Sequence, residues 1–244
     1  MNSISIRFAL ASVSVALLIL GITGTINYFF IKQELLEDAS QKAKLIAQNS
    51  QYQIDTLIEH TKNYSQHVKN TLEEDSFTPQ TIKKAIESSL KDSQYIYGMA
   101  VALEPNVLVK KSFSDYYYKN NNEIVYANLC SQDYDYQNQP WYLKPSLMKK
   151  PTWSEPYYDD GGGNTLMATY SNPIFKNDKF AGVITVDLSL KKLQKIISNI
   201  HILDSGYAFL LSKDYKVLVD KDSSKIMTNY KTKKIKYNEI IKEH

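Results

Sequence analysis

The chain has 244 residues, 43% of them hydrophobic and 23% charged, and its formal net charge at pH 7 is +3. This length allows one or two domains, and so small a charge, spread along the chain, argues against nucleic acid as a partner. The single cysteine, Cys130, excludes a disulfide within the chain.

An uncharged segment, residues 8–31, lies close to the N-terminus. As a helix with about 1.5 Å per residue it spans roughly 36 Å, which is enough to cross a bilayer. It continues into "NYFFIKQELLED", which has no small-residue cleavage site, so we predict an uncleaved transmembrane helix in the lipid bilayer. Arg7 precedes the segment and acidic residues follow it. The positive-inside rule therefore places residues 1–7 in the cytoplasm and residues 32–244 outside the plasma (inner) membrane.

A long extracytoplasmic helix is predicted over residues 32–75, because no proline or glycine interrupts it and apolar residues recur at spacings near three and four. This stripe has to bury against something. We predict a homodimer through the helix, and the alternative is packing against the domain that follows. Polar residues dilute the stripe and argue against a full coiled coil. The stripe consists of Leu35, Ala39, Ala43, Ile46, Ile54, Leu57, Tyr64, Val68 and Leu72.

Shorter elements follow the long helix. "FTPQTIKKAIESSL" is typical of a helix with Thr78 as N-cap and Pro79 in the first turn. In "YIYGMAVAL", an alternating set that includes Tyr97, Met99 and Val101 predicts a strand. "SFSDYYYK" and "EIVYANL" flank "NNN" and predict a hairpin. The next stretch, "CSQDYDYQNQPWYLKP", shows no period and is predicted to be irregular.

A second hairpin is predicted from "TLMATYSNPIF" and "FAGVITVDL", with its turn at "KNDK". In the second of these strands, Ile184 and its alternating neighbours point one way and Thr185 and Asp187 point the other. The aliphatic side is expected to pack on a helix, whereas the polar side suits a partly enclosed pocket. "SLKKLQKIISNI" then predicts a helix with Ser189 as N-cap. The fold class is therefore α+β, an antiparallel sheet with helices on one face and the other face free for a small ligand.

The last part of the chain predicts a second module. "GYAFLLSKDYKVLVDKDSSKI" indicates two strands that turn at "KDY", and two strands do not form a stable domain alone. We therefore predict that residues 204–244 are an incomplete module.

Taken together, five stretches resemble the double-Cache, PAS-like extracellular sensor domain of bacterial chemoreceptors, sensor kinases and serine phosphatases. They are the N-terminal anchor with its long helix, "QPWYLKP", "WSEPYYDDGGGNTLMATYSNPIF", "GVITVDLSLKKLQKII" and "SGYAFLLSKDYKVLVDKD", and they cover nearly the whole chain. The resemblance implies a membrane-distal lobe at residues 76–203 and a membrane-proximal lobe at residues 204–244, carried by the long N-terminal helix. Such proteins normally continue through a second transmembrane helix to a cytoplasmic output module, so the resemblance also implies an N-terminal fragment, a truncated gene or a degenerate receptor that lacks its output module.

The resemblance also implies a ligand site. In amino-acid-binding members, an Arg two residues before a Trp-Tyr pair holds the ligand carboxylate, and a strand Asp takes the ammonium group. Here Trp141 and Tyr142 match the pair and Asp187 matches the strand Asp, but Gln139 stands at the Arg position. Because an amide is a weaker, neutral donor, we predict a small polar or cationic metabolite rather than a tightly bound α-amino acid. The predicted ligand-binding residues are Gln139, Trp141, Tyr142, Tyr157 and Asp187, with Asp115 and Tyr116 as weaker candidates.

The segment "PYYDDGGGN" has other interpretations that the residues argue against. A phosphate-binding loop needs a Lys and a following helix, whereas a strand follows here. A calcium loop needs alternating oxygen ligands, which are missing. We predict a flexible glycine turn and leave open whether it moves as a lid. No catalytic residue, metal site or cofactor is predicted, so the chain is not expected to be an enzyme.

The function these features predict is extracytoplasmic small-molecule sensing for a bacterial transmembrane signal-transduction or chemotaxis receptor. A membrane-anchored binding or structural protein without a signalling output of its own is the alternative. A binding protein that works with a partner receptor is a further alternative.

Overall fold

A computed structural model describes residues 2–73, 78–108, 111–121, 123–130, 134–160, 162–198, 200–202, 206–212 and 214–230. Within these ranges the helices are α1 (Asn2–Glu73), α2 (Pro79–Asp92), α3 (Pro140–Met148) and α4 (Leu190–Ser198). Short 3-10 turns occur at Tyr136–Asn138 and Ser223–Lys225. The strands are β1 (Ile96–Leu103), β2 (Phe113–Asn120), β3 (Glu123–Asn128), β4 (Thr152–Trp153), β5 (Tyr157–Tyr158), β6 (Leu166–Lys176), β7 (Lys179–Ser189), β8 (His201–Ile202), β9 (Gly206–Tyr207), β10 (Leu210–Leu211) and β11 (Val217–Val219).

Helix α1 is continuous from the apolar N-terminal segment to Glu73. Among the described residues it is the one helix long and apolar enough to cross a membrane, and its apolar window is fully exposed. The end of the helix behaves differently. Leu57, Val68 and Leu72 are buried there in clusters that include residues of the sheet and of α2. This part of the apolar stripe therefore packs on the domain that follows, the alternative to a partner helix.

Helix α2 begins as its sequence predicts. The Thr78 side chain accepts a hydrogen bond from the Thr81 backbone N–H, and the Thr81 side chain accepts one from the Thr78 backbone N–H. With Pro79 in the first turn, these bonds fix the start of the helix. Its buried face carries Ile82, Ile86 and Leu90, which are all fully buried.

The main sheet is antiparallel, with strand order β3-β2-β1-β7-β6-β4, and β5 also pairs with β6. Both predicted hairpins are confirmed: β2 pairs with β3, and β6 pairs with β7. The β6–β7 turn places Asn177 and Asp178 at φ of 51° and 61°, which matches a tight turn that suits twisted strands. At the first hairpin Asn121 has φ of 56°, and Asn122 lies outside the described residues.

The two faces of this sheet have different partners. Residues such as Met99, Val101 and Ile184 join a cluster with α2 and the end of α1. The alternating residues, such as Ala100 and Val183, join a second cluster with Trp141 and Tyr142 of α3. The faces predicted for β7 are therefore confirmed.

Tyr97 departs from the alternation predicted for β1. The register with β7 shifts between Ile96 and Gly98, so that one extra residue is accommodated. Tyr97 does not share the side of Met99: its ring stacks on Tyr118, with centroids 5.8 Å apart, over the face that carries the second cluster. The bulge thus moves Tyr97 from the aliphatic face to the opposite one.

The expectation that residues 130–145 are irregular was wrong for their second half. Helix α3 begins at Pro140 and buries Trp141, Tyr142 and Pro145. Two prolines within nine residues argue against a helix, but Pro140 occupies the first turn, where its missing N–H has no cost. Trp141 and Tyr142 pack on the sheet. This packing offsets the low helix propensity of the segment.

The C-terminal part contains the predicted hairpin as β10 and β11, which pair antiparallel. Val217 and Val219 of β11 are buried, and Val219 lies in a cluster with Leu193 and Ile197 of α4. Residues 231–244 lie outside the described residues, and so does most of the predicted polar tail.

Candidate ligand-binding site

A small cavity lies on the face of the main sheet that α3 covers. The space that the centre of a water molecule can reach is about 10 Å³, enough for about one water. A ligand of amino-acid size therefore needs this site to open. The lining residues are Ala100, Tyr116, Leu129, Tyr134, Trp141, Tyr157, Asp159, Thr169, Thr185 and Asp187.

Asp187 is the central charged group of the cavity. It lies near the end of β7, is 3% exposed, and accepts a hydrogen bond of 2.7 Å from the Thr169 hydroxyl. Burial raises the pKa of Asp187 to about 7, and the Thr169 hydrogen bond opposes this rise. A carboxylate desolvated to this degree gains much from a cationic partner.

Tyr157 and Thr169 form a short hydrogen-bonded chain that ends on Asp187. The Tyr157 hydroxyl lies 2.9 Å from the Thr169 hydroxyl. When Asp187 is ionised, Thr169 donates its one hydroxyl proton to the carboxylate, and Tyr157 is then the donor to Thr169. Burial also raises the pKa of Tyr157 above its usual range, so the phenol keeps its proton. The chain orients the Asp187 carboxylate within the cavity.

Asp159 is a second buried carboxylate in the lining, and sequence reasoning placed it only in a turn. It is 7% exposed and accepts a hydrogen bond of 2.6 Å from the Gly163 backbone N–H. Burial raises the pKa of Asp159, and the bond from Gly163 lowers it. A signal for its position was present, because Tyr157 and Asp159 are two residues apart and point to the same side of an extended segment.

Aromatic rings enclose much of the remaining cavity. Trp141 Nε1–H donates a hydrogen bond of 3.2 Å to the Tyr134 hydroxyl, which fixes two of these rings. The Tyr116 hydroxyl is fully buried beside Asp187 but makes no hydrogen bond of normal geometry within the described part of the chain. Gly98 makes room for it, since a Cβ at residue 98 would collide with the Tyr116 ring and hydroxyl. Tyr134 was not predicted, because the stretch around it shows no period.

The structure brings four of the seven predicted site residues to the cavity: Trp141, Tyr157, Asp187 and Tyr116. The other three lie elsewhere. Gln139 immediately precedes α3 and is not among the lining residues. The Tyr142 hydroxyl donates a hydrogen bond of 2.7 Å to Glu104, away from the cavity.

Asp115 is the third residue that the structure separates from the cavity. It pairs with Val101 in the sheet register, which places it on the aliphatic side. Its carboxylate accepts a hydrogen bond of 2.9 Å from the Tyr126 hydroxyl. A direct contact of Asp115, Gln139 or Tyr142 with a ligand stays a prediction.

The charge of the cavity is negative. Asp159 and Asp187 both line it, and among the described residues no Lys, Arg or His side chain does. Likewise, the described part of the chain contains no group of three or more His, Cys, Asp or Glu residues placed to hold a metal ion. The arrangement is suited to an ammonium group between carboxylates and aromatic faces.

Helices pack on both faces of the sheet, so the second face is not free as the sequence predicted: α3 covers it and leaves a small cavity. An antiparallel sheet with a small cavity on one face is typical of the PAS-like class of sensor domain. Residues 82–195 match the family model described as methyl-accepting chemotaxis protein-like, first PDC sensor domain. Over these residues the chain is therefore similar to the sensor domains of chemotaxis receptors, as the resemblance in the sequence predicts.

Curated relatives are similar over this region. Methyl-accepting chemotaxis protein PctB of Pseudomonas aeruginosa is 36% identical over 95 residues, which is 39% of this chain and 15% of the relative. Methyl-accepting chemotaxis protein McpC of Bacillus subtilis is 33% identical over 81 residues, which is 33% of this chain and 12% of the relative. The matched region thus spans less than a sixth of the length of each of these relatives.

Solved structures extend the likeness to most of the chain. The extracellular domain of histidine kinase soHK1S-Z6 is 25% identical with a TM-score of 0.68, covering 88% of this chain and 81% of that one. The ligand-binding domain of chemoreceptor PctB in complex with L-Arg is 24% identical with a TM-score of 0.53, covering 76% of this chain and 70% of that one. The second likeness supports the fold alone.

Proposed function

We propose that this chain is the sensor region of a bacterial membrane receptor of the chemoreceptor or sensor-kinase type, and that it has no enzymatic activity of its own. The match of residues 82–195 to a chemoreceptor sensor family supports this. The proposal assigns residues 8–31 to the plasma membrane and residues 32–244 to its outer side, with the long helix as the contact between two copies. The membrane-distal lobe comprises residues 76–203 and the proximal one residues 204–244.

The ligand we propose is a small metabolite with a positively charged amine. The observation that carries this is the pairing of two buried carboxylates, Asp159 and Asp187, in a cavity whose described lining has no basic side chain. An ammonium group replaces the water that each carboxylate has lost, and the faces of Trp141 and the tyrosines add cation–π attraction.

The same lining disfavours a ligand that depends on its carboxylate. A carboxylate in this cavity would face Asp159 and Asp187 with no guanidinium or ammonium to neutralise it. Repulsion and desolvation would then oppose binding. Gln139, at the position where the resemblance implies an Arg, does not line the cavity. Simple amines should therefore bind better than acids, and α-amino acids should be intermediate.

The test is a thermal-shift screen of the full chain in detergent with primary amines, α-amino acids and simple carboxylates, followed by calorimetry of each hit. Removing one partner of a charge-assisted contact costs about 1.5–3 kcal/mol. The Asp187→Asn variant should therefore bind an amine roughly tenfold to a hundredfold more weakly. Trp141→Ala should also weaken binding.

Asp220→Asn is the matched control, because Asp220 is a buried carboxylate that does not line the cavity. It should leave amine affinity unchanged. A preference for carboxylates, or amine binding that survives both Asp187→Asn and Trp141→Ala, would overturn the proposed ligand. A folded chain that binds none of the compounds would favour the structural alternative.

A further inference from the structure

Two residues hold Gly163 in place by hydrogen bonds: Tyr97, which is distant in sequence, and Asp159, which lines the cavity. The Gly163 backbone N–H donates to Asp159 Oδ2 at 2.6 Å, and its carbonyl accepts a hydrogen bond of 2.6 Å from the Tyr97 hydroxyl. Both Gly162 and Gly163 are buried although they lie in a loop. The hydrogen bond from Tyr97 of β1 and the hydrogen bond to Asp159 therefore hold this backbone against the sheet.

The close approach depends on glycine at residue 163. A Cβ there would lie 2.5 Å from the Tyr97 ring and 3.0 Å from the Tyr116 hydroxyl. Distances of this size are not tolerated without a shift of the loop or of both rings. Gly163 thus lies directly beside Tyr116 and Asp159, two residues of the cavity lining.

The size of the cavity shows why these contacts matter. Room for about one water cannot hold an amine with even a short carbon chain. Some part of the lining has to move before a ligand binds. The backbone at Gly163 is a suitable part to move. Glycine buries no side chain there, and hydrogen bonds with Tyr97 and Asp159 hold it beside Tyr116.

We propose that Tyr97, Asp159 and Gly163 form a latch that controls access to the cavity, an inference that rests on the proposed ligand-binding function. Tyr97 is a positioning residue: it holds Gly163 without lining the cavity itself. Asp159 belongs to both the latch and the cavity, so a ligand ammonium that approaches its carboxylate competes with or reorients the Gly163 N–H. Ligand binding and the order of residues 162–164 are thereby coupled through one carboxylate.

The latch is tested without any ligand, by hydrogen exchange of the full chain in detergent. A hydrogen bond contributes about 1 kcal/mol net, so Tyr97→Phe should speed exchange in the peptide that contains residues 162–164 about fivefold. Gly163→Ala should give at least as large an increase, because it separates the loop from Tyr97. Tyr126→Phe is the matched control, since it removes a tyrosine-to-carboxylate hydrogen bond on the opposite face, and it should leave this peptide unchanged.

A second measurement connects the latch to the cavity. Leu129 lines the cavity, and Cys130 is the single cysteine. In a Leu129→Cys, Cys130→Ser background, the cationic thiol reagent 2-aminoethyl methanethiosulfonate should react about fivefold faster when Tyr97→Phe is added. The addition of Tyr126→Phe should not change the rate.

Two results would overturn the latch: exchange at residues 162–164 equal in Tyr97→Phe and wild type, or faster exchange without faster thiol modification. The second result would mean that the loop loosens but does not guard the cavity. If Tyr97→Phe melts early, Gly163→Ala replaces it in both measurements. Neither measurement uses a ligand, so the latch can fail while the proposed amine binding stands, and the reverse holds as well.

Discussion

The two faces of the central sheet use neighbouring residues of the same strands for opposite purposes. On one face, Val101, Ile184 and Val186 pack with α2 and the end of α1 in an aliphatic cluster. On the other, Thr185 and Asp187 line a small cavity with aromatic rings, and burial raises the pKa of the Asp187 carboxyl. We infer that the aliphatic face stabilises the fold. On the polar face, burial of the Asp187 carboxylate is unfavourable, and a cationic ligand would reduce that cost.

The largest expected effect is a loss of unfolding free energy when a residue of the aliphatic face is changed. Ile184 is fully buried, and an Ile→Ala change in such a site costs about 2–5 kcal/mol through lost burial and the cavity left behind. We expect Ile184→Ala to lower the free energy of unfolding by about 4 kcal/mol in chemical denaturation, with amine affinity unchanged while the chain is folded. Leu147→Ala is the control, since Leu147 is 79% exposed; an equal loss there would contradict the assignment of stability to the aliphatic face.

The buried carboxylate on the polar face should make stability depend on pH. The pKa of Asp187 is about 7 in the folded chain against an ordinary 3.8, so folding favours its protonated form. The stabilisation is complete below about pH 4 and is lost as the pH rises to 7. Relative to Asp187→Asn, wild type should lose about 3 kcal/mol of unfolding free energy over this range.

Thermal and chemical unfolding of both proteins between pH 4 and pH 8 measures this loss. The titratable groups around Asp187 are Asp159 and the tyrosines Tyr97, Tyr116, Tyr134 and Tyr157, and burial raises the pKa of each tyrosine. The tyrosines therefore keep their protons over this range, which leaves Asp159 as the neighbour that titrates with Asp187. Asp55→Asn, at an exposed position of α1, should follow the wild-type curve. Parallel curves for wild type and Asp187→Asn would refute a desolvated Asp187.

The smallest change in unfolding free energy is expected at the buried hydroxyl of Ser171. Ser171 is 1% exposed, lies opposite Thr185 in the register, and its Oγ makes no hydrogen bond among the described residues. Because no bond is lost, Ser171→Ala should change unfolding free energy by less than about 0.5 kcal/mol, or stabilise the chain. Thr169→Val, two residues away on the same strand, loses bonds to Asp187 and Tyr157 and should cost about 2 kcal/mol. Equal changes in unfolding free energy for Ser171→Ala and Thr169→Val would contradict this difference between the two hydroxyls.

Local patterns predicted much of this fold. The cap at Thr78, the two hairpins and the two sides of β7 follow from spacing and turn residues, which act within a few positions. Helix α3 was not predicted from local patterns, because its stability comes from packing of Trp141 on the sheet, which is a contact between distant segments. The site divides in the same way. Asp187 follows from strand alternation, whereas Tyr134 and the contact of Asp159 with Gly163 depend on how loops fold back over the sheet.

The register shift next to Gly98 has a consequence for how such a domain can evolve. Tyr97 is the residue between Ile96 and Gly98, so a regular strand without the extra residue would lack Tyr97 itself. Loss of that one codon therefore abolishes the hydrogen bond to Gly163 in a single step. One deletion in β1 thus removes a contact to the loop beside the cavity and leaves the residues that line the cavity unchanged.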